Sequence, residues 1–246
     1  MQPQSGHTVF NMNKLNTIMR TLIASFLMVL AFGVFGQNKE TRNVRDFDEV
    51  VMRMSGNVYI KLGNKNEVVL EGDDRTLERI ETEVRGGKLS IGVESRRGWR
   101  SRSSGRVNVY ITIKELRGVS ISGSGDVIGQ SVFKTDDFYA SISGSGDMEL
   151  EVDAKNINAK ISGSGNIELK GSGEYARLTM SGSGKYLAEE LKVDDYEISI
   201  SGSGRSSVNA QENLDIRISG SGSVYYKGRP AINSSVAGSG KVRRIN

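Results

Sequence analysis

The side chains best suited to chemistry in this chain are carboxylates. Adjacent acids occur at Asp73-Asp74, Asp136-Asp137, Glu189-Glu190 and Asp194-Asp195. Paired carboxyls cleave glycosides when they face each other about 5–9.5 Å apart across a cleft. Neighbours on a strand point to opposite faces, and these pairs fall in polar connections, so turn chemistry is the preferred reading. Serine is plentiful, yet it needs a base, and His7 is the only histidine. There is no cysteine. Disulfides are excluded, and with His7 in a segment expected to be removed, so are histidine acid–base catalysis and His/Cys metal sites.

Two acids suggest a cation instead. Asp126 and Asp147 each follow a Ser-Gly-Ser-Gly step, and Gly-rich turns with regular Asp bind Ca²⁺ in some β-rolls. The same place further along holds Asn166, Lys185, Arg205, Ser223 and Lys241. A hard cation needs several converging oxygens, which a column turning from acid to base does not supply. Asp126 and Asp147 therefore stand as weak metal candidates, with a solvated edge preferred. A phosphate cradle is excluded because Gly-Ser-Gly feeds a strand rather than a helix N-terminus. No cofactor is expected.

The remaining candidate is a binding loop. Arg96, Arg97, Trp99, Arg100, Arg102 and Arg106 lie within 12 residues, 95–106, that include the only Trp. Arg and Trp are favoured at binding hot spots, and such a loop would suit anionic glycan or lipid headgroups. Its competing reading is a solvated hairpin loop. Tyr225-Tyr226 would suit stacking on sugars, but Tyr226 falls on an inward phase and is assigned to packing.

All of these residues are positioned by a repeat. Ser-Gly-Ser-Gly occurs at 122–125, 143–146, 162–165, 181–184, 201–204 and 219–222, with a variant Ala237-Gly238-Ser239-Gly240. The motif is preceded by Ile121, Ile142, Ile161, Met180, Ile200, Ile218 and Val236, and two places earlier by Val119, Ala140, Ala159, Leu178, Ile198, Ile216 and Ser234. Apolar–polar–apolar alternation is the period of a strand with one buried face. It resumes after the turn at Val127, Met148, Ile167, Tyr186, Val224 and Val242, with Ser206 the exception. Each repeat reads as strand, Gly corner, strand and a polar connection such as Asp153-Ala154-Lys155-Asn156. One coil cannot bury its apolar side, so coils must stack, at about 4.8 Å each. The fold class is all-β: a parallel β-helix or β-solenoid of about seven coils, roughly 34 Å long by that spacing. Stacking also places Ser above Ser, close enough for a ladder of hydroxyl hydrogen bonds.

Upstream, residues 22–35 form a short uncharged stretch after Arg20. It is too short to span a bilayer comfortably and has the marks of a secretory signal ending near residue 36. Residues 37–46 are expected as a short linker. Residues 47–118, with strands at 47–54, 57–62, 67–70, 88–93 and 107–113 and a helical turn near 76–80, form less regular coils capping the regular coils of 119–246 in the same domain. Ser55-Gly56-Asn57-Val58 looks like a degenerate corner. The net charge of +4 would fall to about +2 on signal removal, too weak and too evenly spread for a nucleic-acid partner. No integral membrane span is expected after cleavage.

The opening Val44-Arg45-Asp46-Phe47-Asp48-Glu49-Val50, the segment from Leu77 to Ile91 and the repeated Ile-Ser-Gly-Ser-Gly-Asp resemble the auto-transporter adhesin head GIN domain family of the Bacteroidetes, over roughly residues 44–242. The resemblance implies a parallel β-helix, an envelope or secreted location and, by name, adhesion. The expected function is an exported, non-enzymatic binding module whose partner is a glycan or another envelope surface component. The alternatives are a polysaccharide-acting β-helix enzyme and a periplasmic spacer without a ligand.

Overall fold

The computed structural model describes residues 38–93 and 107–245. The expected signal segment and the arginine-rich loop 95–106, with Arg96, Arg97, Trp99, Arg100, Arg102 and Arg106, lie outside them.

The all-β solenoid read from the repeat is the fold, with about seven turns. Its regular part comprises β8 (Gly118–Gly123), β9 (Asp126–Gly144), β10 (Asp147–Gly163), β11 (Asn166–Gly182), β12 (Lys185–Gly202), β13 (Arg205–Gly220), β14 (Ser223–Lys227), β15 (Ala231–Gly238) and β16 (Lys241–Arg244). Successive coils pair in parallel, and each corner lies in register on the one before: Gly144 on Gly123, Gly163 on Gly144, Gly182 on Gly163, Gly202 on Gly182 and Gly220 on Gly202. Repeat lengths differ, and the surplus residues are absorbed by bulges after the corner, as between Glu149 and Glu151 or between Ala188 and Lys192. The corners stay aligned because they leave no room for slippage.

Two differences from the sequence reading have physical causes. The polar connection is not a loop. β10 runs through it, with Asp153 paired to Ser172 and Ala154 to Gly173. Inward residues alternate from Met148 to Ala154, the pleat slips where Lys155 and Asn156 both face out, and Ile157, Ala159 and Ile161 resume the inward phase. Continuing the ladder around this bend satisfies main-chain groups that a buried loop would leave unpaired. The stacked serines, moreover, make no hydroxyl ladder among the described residues. Main-chain bonds hold the corners: the amides of Ser145, Ser164, Ser183, Ser203 and Ser221 each donate to a glycine carbonyl of the preceding coil at 2.9 Å. With hydroxyls facing solvent, water competes for them, while the amide–carbonyl pairs repeat at the coil spacing.

The N-terminal strands are β1 (Asn38–Arg42), β2 (Glu49–Arg53), β3 (Asn57–Leu62), β4 (Glu67–Gly72), β5 (Ile80–Arg85), β6 (Lys88–Val93) and β7 (Asn108–Ile113), with a helical turn, α1 (Asp74–Leu77), after β4. β2 continues the stack beneath β8, and β3 continues it beneath β9, in parallel. Between them Gly56 adopts φ +144° and its carbonyl accepts the Asp126 amide at 2.9 Å. The degenerate corner is therefore a true one. Further out the pairing turns antiparallel: β4 on β7, β1 on β4 and β5 on β6. Residues 38–42, read as linker, thus carry a strand. β1 and β5 end the stack with charged side chains such as Glu40, Arg42, Glu81 and Glu83, which blunts an edge against further pairing. One continuous core runs from Phe47 to Val224.

Candidate binding faces

A parallel stack in register converts sequence into columns: every outward position of one coil lies about 4.8 Å from its counterpart in the next. The corner column confirms the order Asp126, Asp147, Asn166, Lys185, Arg205. The Asp126 carboxylate accepts the Asp147 amide at 3.3 Å. The Asp147 carboxylate accepts the Asn166 amide at 3.2 Å and its side-chain Nδ2 at 2.7 Å. These acids are oriented by the next coil. Among the described residues no group of three or more acidic or His/Cys side chains is placed to hold a metal ion.

The acid pairs are likewise engaged by their surroundings. Asp73 caps α1, accepting the Thr76 amide at 3.0 Å and its hydroxyl at 2.6 Å, which holds its carboxyl below the usual range. Asp74 accepts from Asn38 at 2.5 Å. Asp136 is ion-paired with Lys155 at 2.7 Å, and that hydrogen bond holds its carboxyl below the usual range in the same way. Asp137 accepts from Asn156 at 2.9 Å, Glu189 pairs with Lys227 at 3.0 Å, and Asp195 accepts from Asn213 at 2.6 Å. These contacts join neighbouring elements of the stack. Tyr226 packs partly buried against the core as its phase requires, while Tyr225 lies under the Arg205 guanidinium at 5.5 Å.

Sequence reasoning missed a groove of 480 Å³ on the run that precedes the corner. Two adjacent outward columns line it. One is Asp137 on β9, Asn156 on β10 and Tyr175 on β11; the other is Tyr139, Asn158 and Arg177 on the same strands. Tyr139 is 38% exposed, which is unusual for so large a residue here. At the far side Tyr175 donates its hydroxyl to Glu197 at 2.7 Å, and Arg177 pairs with the same carboxylate at 2.7 Å. The Tyr175 hydroxyl holds the Glu197 carboxyl below its ordinary value, and the Arg177 and Arg217 charges act in the same direction. Burial, then the hydrogen bond to Glu197, pushes the Tyr175 phenol up. The groove therefore offers an aromatic face, amide donors and acceptors, a carboxylate and a fixed cation on a rigid surface. That set suits a hydroxyl-rich ligand, since an apolar ring face with a few placed polar groups orients such molecules. The signal for it was the 19-residue spacing of 139, 158 and 177, visible only once the register is known.

The geometry defines a class: a capped parallel β-solenoid with ordered, mostly polar outward columns. The family model described as "Putative auto-transporter adhesin, head GIN domain" matches residues 46–230, and the chain belongs to that family. A solved structure described as a putative adhesin from Bacteroides fragilis is 26% identical, with a TM-score of 0.79, covering 86% of this chain and 98% of its own. One described as a putative lipid binding protein from Parabacteroides distasonis is also 26% identical, with a TM-score of 0.71, covering 87% and 98%. A putative adhesin from the same species, 20% identical over 87% of this chain and 98% of its own, has a TM-score of 0.70 and shares the fold. Among curated proteins, none matches the chain.

Proposed function

We propose that this protein is an exported, non-enzymatic adhesion module of the cell envelope that binds glycan through the groove between Tyr139 and Arg177. The observation that carries the reading is the alignment of Asp137, Asn156 and Tyr175 beside Tyr139, Asn158 and Arg177 across three coils. Family membership and the adhesin from Bacteroides fragilis support adhesion. The apolar stretch at 22–35 supports export. The acid pairs support a role without catalysis, since at least one carboxylate of each pair is engaged by the fold itself. The arginine-rich residues Arg96, Arg97, Trp99, Arg100, Arg102 and Arg106 are proposed as a second contact for anionic groups.

The test is binding of the purified full-length chain to a panel of envelope and host glycans, repeated with Tyr139→Ala and Asn158→Ala. Both side chains are outward, so the fold should persist. Each substitution should weaken binding of a recognised glycan about tenfold. Unchanged binding in both would move the site away from the groove. Turnover of any polysaccharide on the panel would favour the enzyme reading. Protease digestion on intact cells, against a lysed control, tests display: cleavage only after lysis would favour the periplasmic spacer.

A further inference from the structure

The last coil differs in chemistry from every coil beneath it. β15 lies in register on β13, with Ile232 over Leu214, Ser234 over Ile216 and Val236 over Ile218. The lower residues are buried, while Ile232 and Val236 remain 43% and 41% exposed. β16 lies on β14, and its inward phase carries Val242 over Val224 and then Arg244 over Tyr226. No acidic residue follows Asp215 in the chain, whereas Arg217, Lys227, Arg229, Lys241, Arg243 and Arg244 do. Arg217 and Lys227 are ion-paired to Glu197 and Glu189. Arg229, Lys241, Arg243 and Arg244 are exposed and make no ion pair among the described residues. The last coil thus carries two exposed apolar side chains and four cations with no ion-pair partner among the described residues.

We infer that this end of the solenoid docks on an anionic lipid bilayer, with Ile232 and Val236 entering the interface and Arg229, Lys241, Arg243 and Arg244 meeting the headgroups. This goes beyond the glycan groove, which lies on a lateral face of β9–β11. Charge complementarity selects the occupant. Apolar side chains rimmed by Lys and Arg are the composition of an interfacial membrane contact, and each cation near an anionic surface strengthens partitioning about fivefold. A second copy joined through the same end would bring like charges together. The opposite end is no better matched, because β1 and β5 carry charges of both signs beside the exposed Val93 of β6. A soluble polyanion would satisfy the cations and leave Ile232 and Val236 in water.

The experiment is co-sedimentation of the full-length exported chain with vesicles of equal parts phosphatidylcholine and phosphatidylglycerol, against phosphatidylcholine alone. The wild type should bind only the anionic vesicles, and less as salt rises. Lys241→Gln, Arg243→Gln and Arg244→Gln together should weaken binding roughly a hundredfold. Ile232→Ser with Val236→Ser should weaken it about tenfold or more. The wild-type comparison decides even if a variant fails to fold: equal binding to both vesicles, or to neither, overturns the inference. So does binding that neither variant changes, polygalacturonate bound as tightly as anionic vesicles, or a dimer in sedimentation velocity that the end substitutions dissociate. Loss of glycan binding in the Tyr139→Ala protein leaves this end untouched, so the two readings fail separately.

Discussion

At the scale of single residues, the glycines decide whether coils can approach. Gly163 sits at φ +127°, and a Cβ there would overlap the Gly144 carbonyl of the coil below. Both the conformation and the space exclude a side chain. Gly165 has no such conformation, but it is buried, and a Cβ would overlap the Gly146 carbonyl oxygen and lie 2.7 Å from Ile142 Cγ2. Gly163→Ala should therefore cost about 2–3 kcal/mol in denaturant unfolding. Gly86 gives the contrast: its φ is +55° with nothing within 4 Å of the added carbon, so Gly86→Ala should cost about 1 kcal/mol. Equal costs at the two sites would show that stacking space is not what the corner glycines serve. Both residue types were visible in the sequence. That Gly163 needs a positive φ while Gly163 and Gly165 alike lie against a glycine carbonyl of the preceding coil was not, because that crowding arises from a neighbour some 20 residues away.

At the scale of elements, cross-strand side-chain pairs join the coils, and the network at Glu197 on β12 is the densest near the groove. It links β11 through Tyr175 and Arg177 to β13 through Arg217, at 2.7, 2.7 and 3.2 Å. The Glu197 carboxyl is lowered in the folded chain from an ordinary 4.5. Its contribution is then complete above that value and is lost as the pH falls through the lowered one. Glu197→Gln should destabilise the protein by about 1–2 kcal/mol at pH 7 and flatten the decline of stability below about pH 4.5. An unchanged acid limb in the variant would place the acid sensitivity elsewhere. The regular strands from β8 onward were legible from alternation and a repeated corner. β1 and β5 were not: their polar, charged stretches, Asn-Lys-Glu-Thr-Arg and Ile-Glu-Thr-Glu-Val-Arg, become strands because they cover the edges of β4 and β6. Tertiary pairing there overrides a weak local pattern.

At the scale of the whole molecule, each coil is held chiefly by its neighbours, so stability should vary along the stack. β10, β11 and β12 are paired on both edges, while β15 is paired only to β13 and is exposed throughout. Native-state hydrogen exchange should show the amides of β15 and β16 exchanging fastest, with protection greatest in β10–β12. Uniform protection would mean the stack opens as one unit. The same asymmetry separates the ends: one finishes in antiparallel strands of mixed charge, the other in a coil that carries exposed Ile232 and Val236 and no acid. The sequence by itself determined the solenoid, its number of coils and its family, because a hydrophobic alternation repeated at nearly constant length admits one way of burying its apolar side. The tertiary structure alone decided where the surplus residues of each coil go, how the ends are finished and which outward side chains share a face. Those depend on register between coils, and register is set by close contact of backbones that the order of residues does not display.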